Sequence, residues 1–256
     1  MLKFGYTTIF AVTLLVATIV ADVLFGVPFF LYLVLFFLYS SALFYGCYYV
    51  GSDFFIRITC SAKTDKREIA ISFDDGPAAY TPQILQILKD DGVKATFFCI
   101  GKNIAGNEQT LLQLHQEGHL IGNHSFSHHF WFDIFPFKKM LADLQLMDAT
   151  VKRVIGLQPK LFRPPYGVTN PTVSRAIIQG GYTPVGWSVR SMDTIVKDEE
   201  KLLDKMVGKL KPGAVFLFHD TSKATLQILP AFIKQAKEND YQIVRLDKML
   251  NLQPYA

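Results

Sequence analysis

Residues Glu68 to Pro77 read Glu-Ile-Ala-Ile-Ser-Phe-Asp-Asp-Gly-Pro, and how this stretch is read decides the fold. Glu68–Phe73 is a short apolar run with the look of a buried strand, broken off by two acids and a Gly-Pro turn. Working outward, Thr81–Asp90 places Ile84, Leu85, Ile87 and Leu88 at helical spacing, and Ala95–Ile100 is again a buried strand. Helix Glu108–Glu117, strand Leu120–Asn123 and the long amphipathic helix Phe137–Val154 follow. Lys160–Arg163, Pro171–Gln179, Tyr182–Ser188, Glu199–Lys209, Ala214–His219, Leu226–Glu238 and Gln242–Arg245 continue the alternation. Alternating strands and helices imply a mainly parallel sheet, either open and doubly wound or closed as a barrel. In both, ligands bind at the C-terminal ends of the strands. Asp74 and Asp75, His124 and His128, Arg163 and His219 each lie at or just past a strand end. Contributions from so many strands favour a barrel, whose strand ends ring one mouth.

Upstream of this unit the composition changes. Half of the 256 residues are hydrophobic, and the excess lies at the N-terminus. Between Lys3 and Arg57 only Asp22 and Asp53 are charged; Phe4–Ala21 and Val23–Val50 are uncharged runs. About 20 helical residues cross a hydrocarbon core of roughly 30 Å. The region is too long for one span and suits two, with Asp22, Gly26 and Pro28 at the turn. A cleaved signal peptide has one short apolar core, and the second run would still anchor the chain. The expected organisation is a two-span membrane anchor over 1–50, a connector over 51–66 and a catalytic domain over 67–256. Lys3 and Asp22 cancel, so the soluble part keeps the chain's net charge of +4. That mild excess tolerates an anionic membrane surface and, without a basic stripe interleaved with aromatics, points away from nucleic acid. Cys47, Cys60 and Cys99 are odd in number and without paired spacing, which argues against a disulfide framework. Cys99, inside an apolar run, reads as a small core residue.

Four clusters carry chemistry. In Phe73-Asp74-Asp75-Gly76-Pro77 two adjacent carboxylates repel each other unless a cation is near, although Asp-Gly-Pro alone is also an ordinary turn. In His124-Ser125-Phe126-Ser127-His128 the i, i+4 imidazoles are expected on one face of a helical turn, where both reach one metal. Each histidine alone reads as structural; beside an acid cluster the metal reading is the better one. A His, His, Asp set leaves positions open for water and substrate, as catalytic zinc requires. His115, His119 and His129 lack such partners and read as structural. In Arg163-Pro164-Pro165-Tyr166-Gly167 the prolines stiffen the backbone, and the Tyr166 N–H is the first free donor after them, a candidate for an oxyanion. Arg163 can orient a carboxylate. Leu217-Phe218-His219-Asp220 brings a histidine to the end of an apolar strand as a candidate proton donor.

In this order, the four motifs resemble the polysaccharide deacetylase family, carbohydrate esterase family 4 with its nodulation-protein-like domain, over roughly residues 67–245. The resemblance implies an irregular (β/α) barrel of about seven strands; the two expected transmembrane helices that precede it lie outside the resemblance. It implies a divalent metal, usually zinc, on Asp75, His124 and His128, with other divalent transition metals possible. It further implies Asp74 as general base, His219 as general acid, Tyr166 N–H as oxyanion donor and Arg163 orienting Asp74. Tyr166, Leu217, Trp187 and Pro165 would line the substrate pocket, with Leu217 against the acetyl methyl. One motif departs from the pattern. Where the family has an Asp-x-x-Asp-Trp-like segment, residues 187–194 read Trp-Ser-Val-Arg-Ser-Met-Asp-Thr. Asp193 fits the second acid and can tune His219, whereas Arg190 replaces the first and Thr194 the tryptophan.

The expected function is metal-dependent deacetylation of an acetylated carbohydrate, such as peptidoglycan, a chitin-like oligomer or another polysaccharide. Two alternatives stand beside it: deacylation or deformylation of a lipid-linked sugar at the membrane face, and a non-catalytic carbohydrate-binding barrel. The expected partners are the sugar and the lipid membrane, with no protein partner. Basic residues concentrate on the cytoplasmic side of spans. Lys3, with Arg57, Lys63, Lys66 and Arg67, therefore places both ends and the soluble domain inside, and unpaired cysteines agree. A wall polysaccharide, by contrast, lies outside.

Overall fold

The computed structural model describes residues 2–196 and 198–256; Met1, at the head of the expected anchor, lies outside them. Two helices open the chain, α1 (Phe4–Phe25) and α2 (Phe30–Tyr48). They pack on each other, yet Gly46 is the only residue of either that is buried. Asp22 is used in the turn between them: its carboxylate accepts the Val27 N–H at 2.9 Å and the Tyr32 hydroxyl at 3.0 Å. Both helices are long and apolar enough to cross a membrane.

The rest is a parallel sheet curled into a half-barrel and flanked by helices. β1 (Glu68–Asp74) leads to α3 (Thr81–Asp90), β2 (Thr96–Cys99), α4 (Glu108–Gln116), β3 (Leu120–Asn123), α5 (Phe137–Ile155) and β4 (Leu161–Phe162). There follow α6 (Pro171–Gly180), β5 (Thr183–Pro184), β6 (Val189–Arg190), α7 (Glu199–Val207), β7 (Val215–His219), α8 (Lys223–Glu238), β8 (Gln242–Ile243) and α9 (Leu246–Leu250). Seven strands run in the order β5-β4-β3-β2-β1-β7-β6, all neighbours parallel, and β8 pairs with the start of β1.

Period-two alternation explains both faces of β1. Ile69, Ile71 and Phe73 point outward into the main core, with Ile84 and Leu88 of α3 and Leu229 and Phe232 of α8. Ala70 faces inward and packs with one residue from each of several strands: Phe98, Leu120, Leu161, Val185 and Val215. Leu246 of α9 closes that inner cluster. Asp74 lies two pleats above Ala70 on the same face, so the strand delivers its carboxylate to the interior at the mouth.

The stretch expected as one strand over Tyr182–Ser188 is divided. β5 and β6 are separate two-residue strands, and the sheet does not close between them. The 51–66 segment lies in this seam. The Thr59 N–H donates to Pro184 O at 3.2 Å, Gly186 N–H donates to Thr59 O at 2.9 Å, and Ala62 N–H donates to Gly213 O at 2.9 Å. Gly186 is required for the close approach, because a Cβ there would meet Cys60 Sγ at 2.7 Å. The helical hairpin is joined to the same side. Phe4 N–H donates to Phe54 O at 3.0 Å, Thr169 N–H donates to Cys47 O at 3.0 Å, and the Phe54 ring lies against Gly46.

Candidate active site

Asp74 ends β1, and Asp75 follows it with a left-handed φ of 76° that turns the chain away from the strand. Asp75 Oδ1 lies 3.6 Å from His124 Nε2 and 3.4 Å from His128 Nε2. One ligand atom from each of the three residues falls within 4.8 Å of the others. Asp75 Oδ1 is buried and, among the described residues, has no hydrogen-bond partner. A buried carboxylate oxygen left unpaired is costly, and here it faces two imidazole nitrogens that stop short of it. One carboxylate and two imidazoles are a donor set suited to a divalent cation with open positions. The residues present fit such an ion.

His124 is oriented from behind. Its Nδ1 donates to the Arg163 carbonyl at 2.7 Å, which leaves Nε2 as the unprotonated nitrogen facing the cluster. Burial, then the neighbouring His128, pulls the His124 pKa down to about 3, so the ring is neutral.

The expected helical turn over residues 124–128 is not formed, and the two imidazoles converge through a loop instead. Ser125 and His128 have φ of 65° and 42°. Side-chain acceptors take the amides that a helix would use. Asn123 Oδ1 accepts Ser125 N–H at 2.8 Å, Ser125 Oγ accepts His128 N–H at 2.9 Å, and Asp143 Oδ1 accepts Phe126 N–H at 2.8 Å and Ser127 N–H at 3.3 Å. The i, i+4 spacing points to two imidazoles that do come together, through a geometry other than the helical turn expected.

Arg163 is fully buried. It donates from Nη1 to Asp74 Oδ1 at 2.7 Å and to Ser72 Oγ at 2.9 Å, from Nη2 to Gly186 O at 2.8 Å, and from Nε to Val185 O at 3.3 Å. Its guanidinium lies 4.0 Å from the Phe98 ring centroid. Asp74 is thus held by one oxygen, while Oδ2 faces His124 Nε2 at 3.8 Å. Burial raises the Asp74 pKa, with the Arg163 charge opposing it.

Across the mouth, His219 ends β7 in register with Asp74. Its Nδ1 lies 2.7 Å from Asp193 Oδ1, and its own N–H donates to Asp193 Oδ2 at 2.7 Å. The Thr225 hydroxyl donates to the same Oδ2. Burial lowers the His219 pKa, but the hydrogen bond and charge of Asp193 outweigh it and leave the pKa raised. Burial likewise pushes Asp193 up, and the His219 bond more than offsets that, so Asp193 is lowered.

Tyr166 has φ 59° and is 45% exposed, and among the described residues its N–H donates to no group. Its ring lies 4.7 Å from that of His128. Pro165 is buried, and Gly167 (φ 73°) rests on Trp187, where a Cβ would meet the indole at 2.5 Å. Leu217 is buried and pairs in register with Ser72. Arg190 is exposed, its guanidinium 5.8 Å from the Trp187 ring.

Ser72, Asn103, Asn123, Asp143 and Asp220 carry no assigned role in the sequence reading. Ser72 carried a signal, being two residues before Asp74 and therefore on its face. Asn103 Nδ2 donates to Asp75 O at 2.8 Å from a short 3-10 turn, and no local pattern marks it. Asp220 accepts the Thr81 hydroxyl at 2.6 Å beneath Gly76, and burial pushes its pKa up to about 7.

The family model for polysaccharide deacetylase matches residues 61–185. The peptidoglycan-N-acetylmuramic acid deacetylase PdaA of Bacillus subtilis is 31% identical over 192 residues, covering 73% of this chain and 73% of that protein. The crystal structure of a peptidoglycan N-acetylglucosamine deacetylase superposes with a TM-score of 0.73 at 30% identity, covering 78% of this chain and 95% of the other. A carbohydrate esterase family 4 pseudoenzyme from Bacillus anthracis superposes with a TM-score of 0.69 at 23% identity, covering 74% and 67%, a likeness of fold alone.

Proposed function

The chain belongs to the polysaccharide deacetylase family, and from that premise we propose that it is a metal-dependent hydrolase removing N-acetyl groups from an acetylated amino-sugar saccharide. The observation that carries this reading is the orphaned Asp75 oxygen between two imidazoles, beside a second carboxylate held by Arg163. Asp75, His124 and His128 would hold a divalent cation, zinc first among candidates, which when bound acidifies water and polarises the acyl carbonyl.

The remaining steps belong to the chain's own groups. Asp74 Oδ2 takes a proton from the attacking water while Arg163 keeps Oδ1 fixed, so the base cannot rotate away. Water oxygen bonds to the acyl carbon, and the Tyr166 N–H stands ready for the oxygen that becomes negative. His219 then gives its proton to the leaving nitrogen as the C–N bond breaks, because an amine leaves poorly unprotonated. Asp193 holds His219 in the donating orientation. The products are acetate and a free amino sugar. Pro165, Trp187 and Leu217 support the pocket around the Tyr166 loop.

The exposed, apolar α1 and α2, whose one charged residue is Asp22, support a two-span anchor over 1–50. Residues 51–66 follow it as a connector bonded to the catalytic domain of 67–256. The basic residues around the hairpin's open end, Lys3 with Arg57, Lys63 and Lys66, support a cytoplasmic domain.

The test is acetate release from an N-acetylglucosamine oligomer with metal content measured in parallel. Active protein that becomes inert with Asp74→Asn is the expected result. Metal-loaded protein that binds the oligomer and releases nothing would instead make this chain a carbohydrate-binding barrel.

A further inference from the structure

The loop between β3 and α5 has two faces. Phe132 and Phe135 are buried with Met140, Leu144 and Phe162, and they fold the loop onto the barrel. Phe130, Trp131 and Ile134 point the other way, 67%, 55% and 65% exposed. Large apolar side chains grouped on one surface mark a contact with something apolar.

What they contact is indicated by the chain's own connections. Asn170 Nδ2 donates to Asp133 O at 2.6 Å, fixing the loop to the start of α6. The adjacent Thr169 donates its N–H to Cys47 O at 3.0 Å and its hydroxyl to Gly46 O at 3.1 Å. The 19 residues of α2 rise about 28 Å, close to the thickness of a hydrocarbon core, so Cys47 lies at its boundary. A loop two hydrogen bonds from Cys47 lies at the headgroup level. Exposed Tyr45, Tyr48 and Tyr49 at the helix exit form the aromatic belt expected there, and Trp131 is a residue of the same kind. Lys138 and Lys139 follow the loop, a placement favourable to anionic headgroups. The same loop borders the mouth: the Phe130 ring lies 6.2 Å from that of Tyr166, and Tyr166 is 4.7 Å from His128.

We propose that Phe130, Trp131 and Ile134 form a second contact with the bilayer that holds α1 and α2, so that the site opens within the headgroup layer onto an acetylated sugar carried by a lipid. The inference rests on the two-span reading for its geometry and on the hydrolase reading for its substrate. The membrane contact and the substrate class are read by separate measurements.

The full chain is reconstituted in vesicles of phosphatidylethanolamine and phosphatidylglycerol, with and without lipids brominated near the headgroup. Tryptophan fluorescence is quenched by the brominated lipid more strongly in the parent protein than in Trp131→Phe, whose remaining Trp187 is half-buried against Gly167. Equal quenching in both proteins, or none in either, overturns the contact. In the second arm, Trp131→Ser with Ile134→Ser lowers kcat/KM about tenfold on a lipid-linked N-acetylglucosamine and by less than about twofold on a soluble oligomer. Equal losses on both substrates make the loop a sugar platform and overturn the proposal. Parent protein that is quenched yet cleaves neither sugar upholds the contact and removes the hydrolase reading together with its substrate. Protein that cleaves soluble sugar but leaves the vesicles in alkaline carbonate removes the anchor and the contact together.

Discussion

On the two sides of one mouth, histidine and carboxylate are combined in opposite ways. At Asp75, His124 and His128 they approach to 3.4 and 3.6 Å and stop, with the Asp75 oxygen unpaired and the His124 ring pulled down to about 3. At Asp193 and His219 they close to 2.7 Å, and the histidine pKa is raised although burial alone would lower it. The closed geometry suits a pair that keeps a proton, and the open one a cluster that could hold a cation, as the proposed function requires. Residue type does not distinguish the two roles; what each ring's other nitrogen and each carboxylate's other oxygen bond to does.

The comparison is broken most severely by emptying the open cluster. His128→Ala should lose bound metal and bring acetate release to background while the fold, followed by circular dichroism, persists. Asp74→Asn should retain the metal and lower kcat by about 10²–10⁴, the usual contribution of a positioned base. If Asp74→Asn loses the metal as well, Asp74 is a ligand, and the division between the open cluster and its neighbouring base fails.

The closed pair predicts a smaller loss with a pH signature. In its proposed role as acid, His219 acts while protonated, so activity should be present below its raised pKa and lost as pH rises through it. In Asp193→Asn the charge that raises it is gone and burial remains, so the alkaline limb moves to lower pH. The accompanying loss of kcat is about 10²-fold. A limb that stays in place in Asp193→Asn means that another group sets it.

Much of this architecture was legible because it lies in short, local patterns. The strand leading into Asp74 and Asp75, the Arg163 ahead of two prolines and the His219 at a strand end are each announced by neighbours within a few residues, whereas the burial of Arg163 is not. What was not legible depends on partners distant in the chain. The turn that brings His124 to His128 is held by Asp143, and the seam beside β5 is occupied by Thr59. A helical turn was the local expectation for residues 124–128, but three side-chain acceptors outcompeted the backbone carbonyls. The long strand expected over 182–188 ends at Pro184 and Gly186, where the connector rather than a strand lies alongside. The apolar helices were plain in composition, yet their attachment through Thr169 to the Tyr166 loop was not, since one backbone hydrogen bond leaves no mark in sequence.

The smallest effect expected separates the two halves of the segment 187–194. Asp193 turns inward to His219, whereas Arg190 is exposed and rests near the Trp187 ring, in the position where the family has an acid. An exposed charge contributes about 0–1 kcal/mol to an interaction, because water and salt screen it. Arg190→Asp should therefore alter KM by no more than about fivefold, leave kcat and the alkaline limb in place, and change the salt dependence of KM, since a cation at the groove edge is exchanged for an anion. A fall in kcat as large as that of Asp193→Asn would mean that Arg190 reaches the reacting atoms, and the outer half of the segment would then belong to the chemistry rather than to the approach of the sugar.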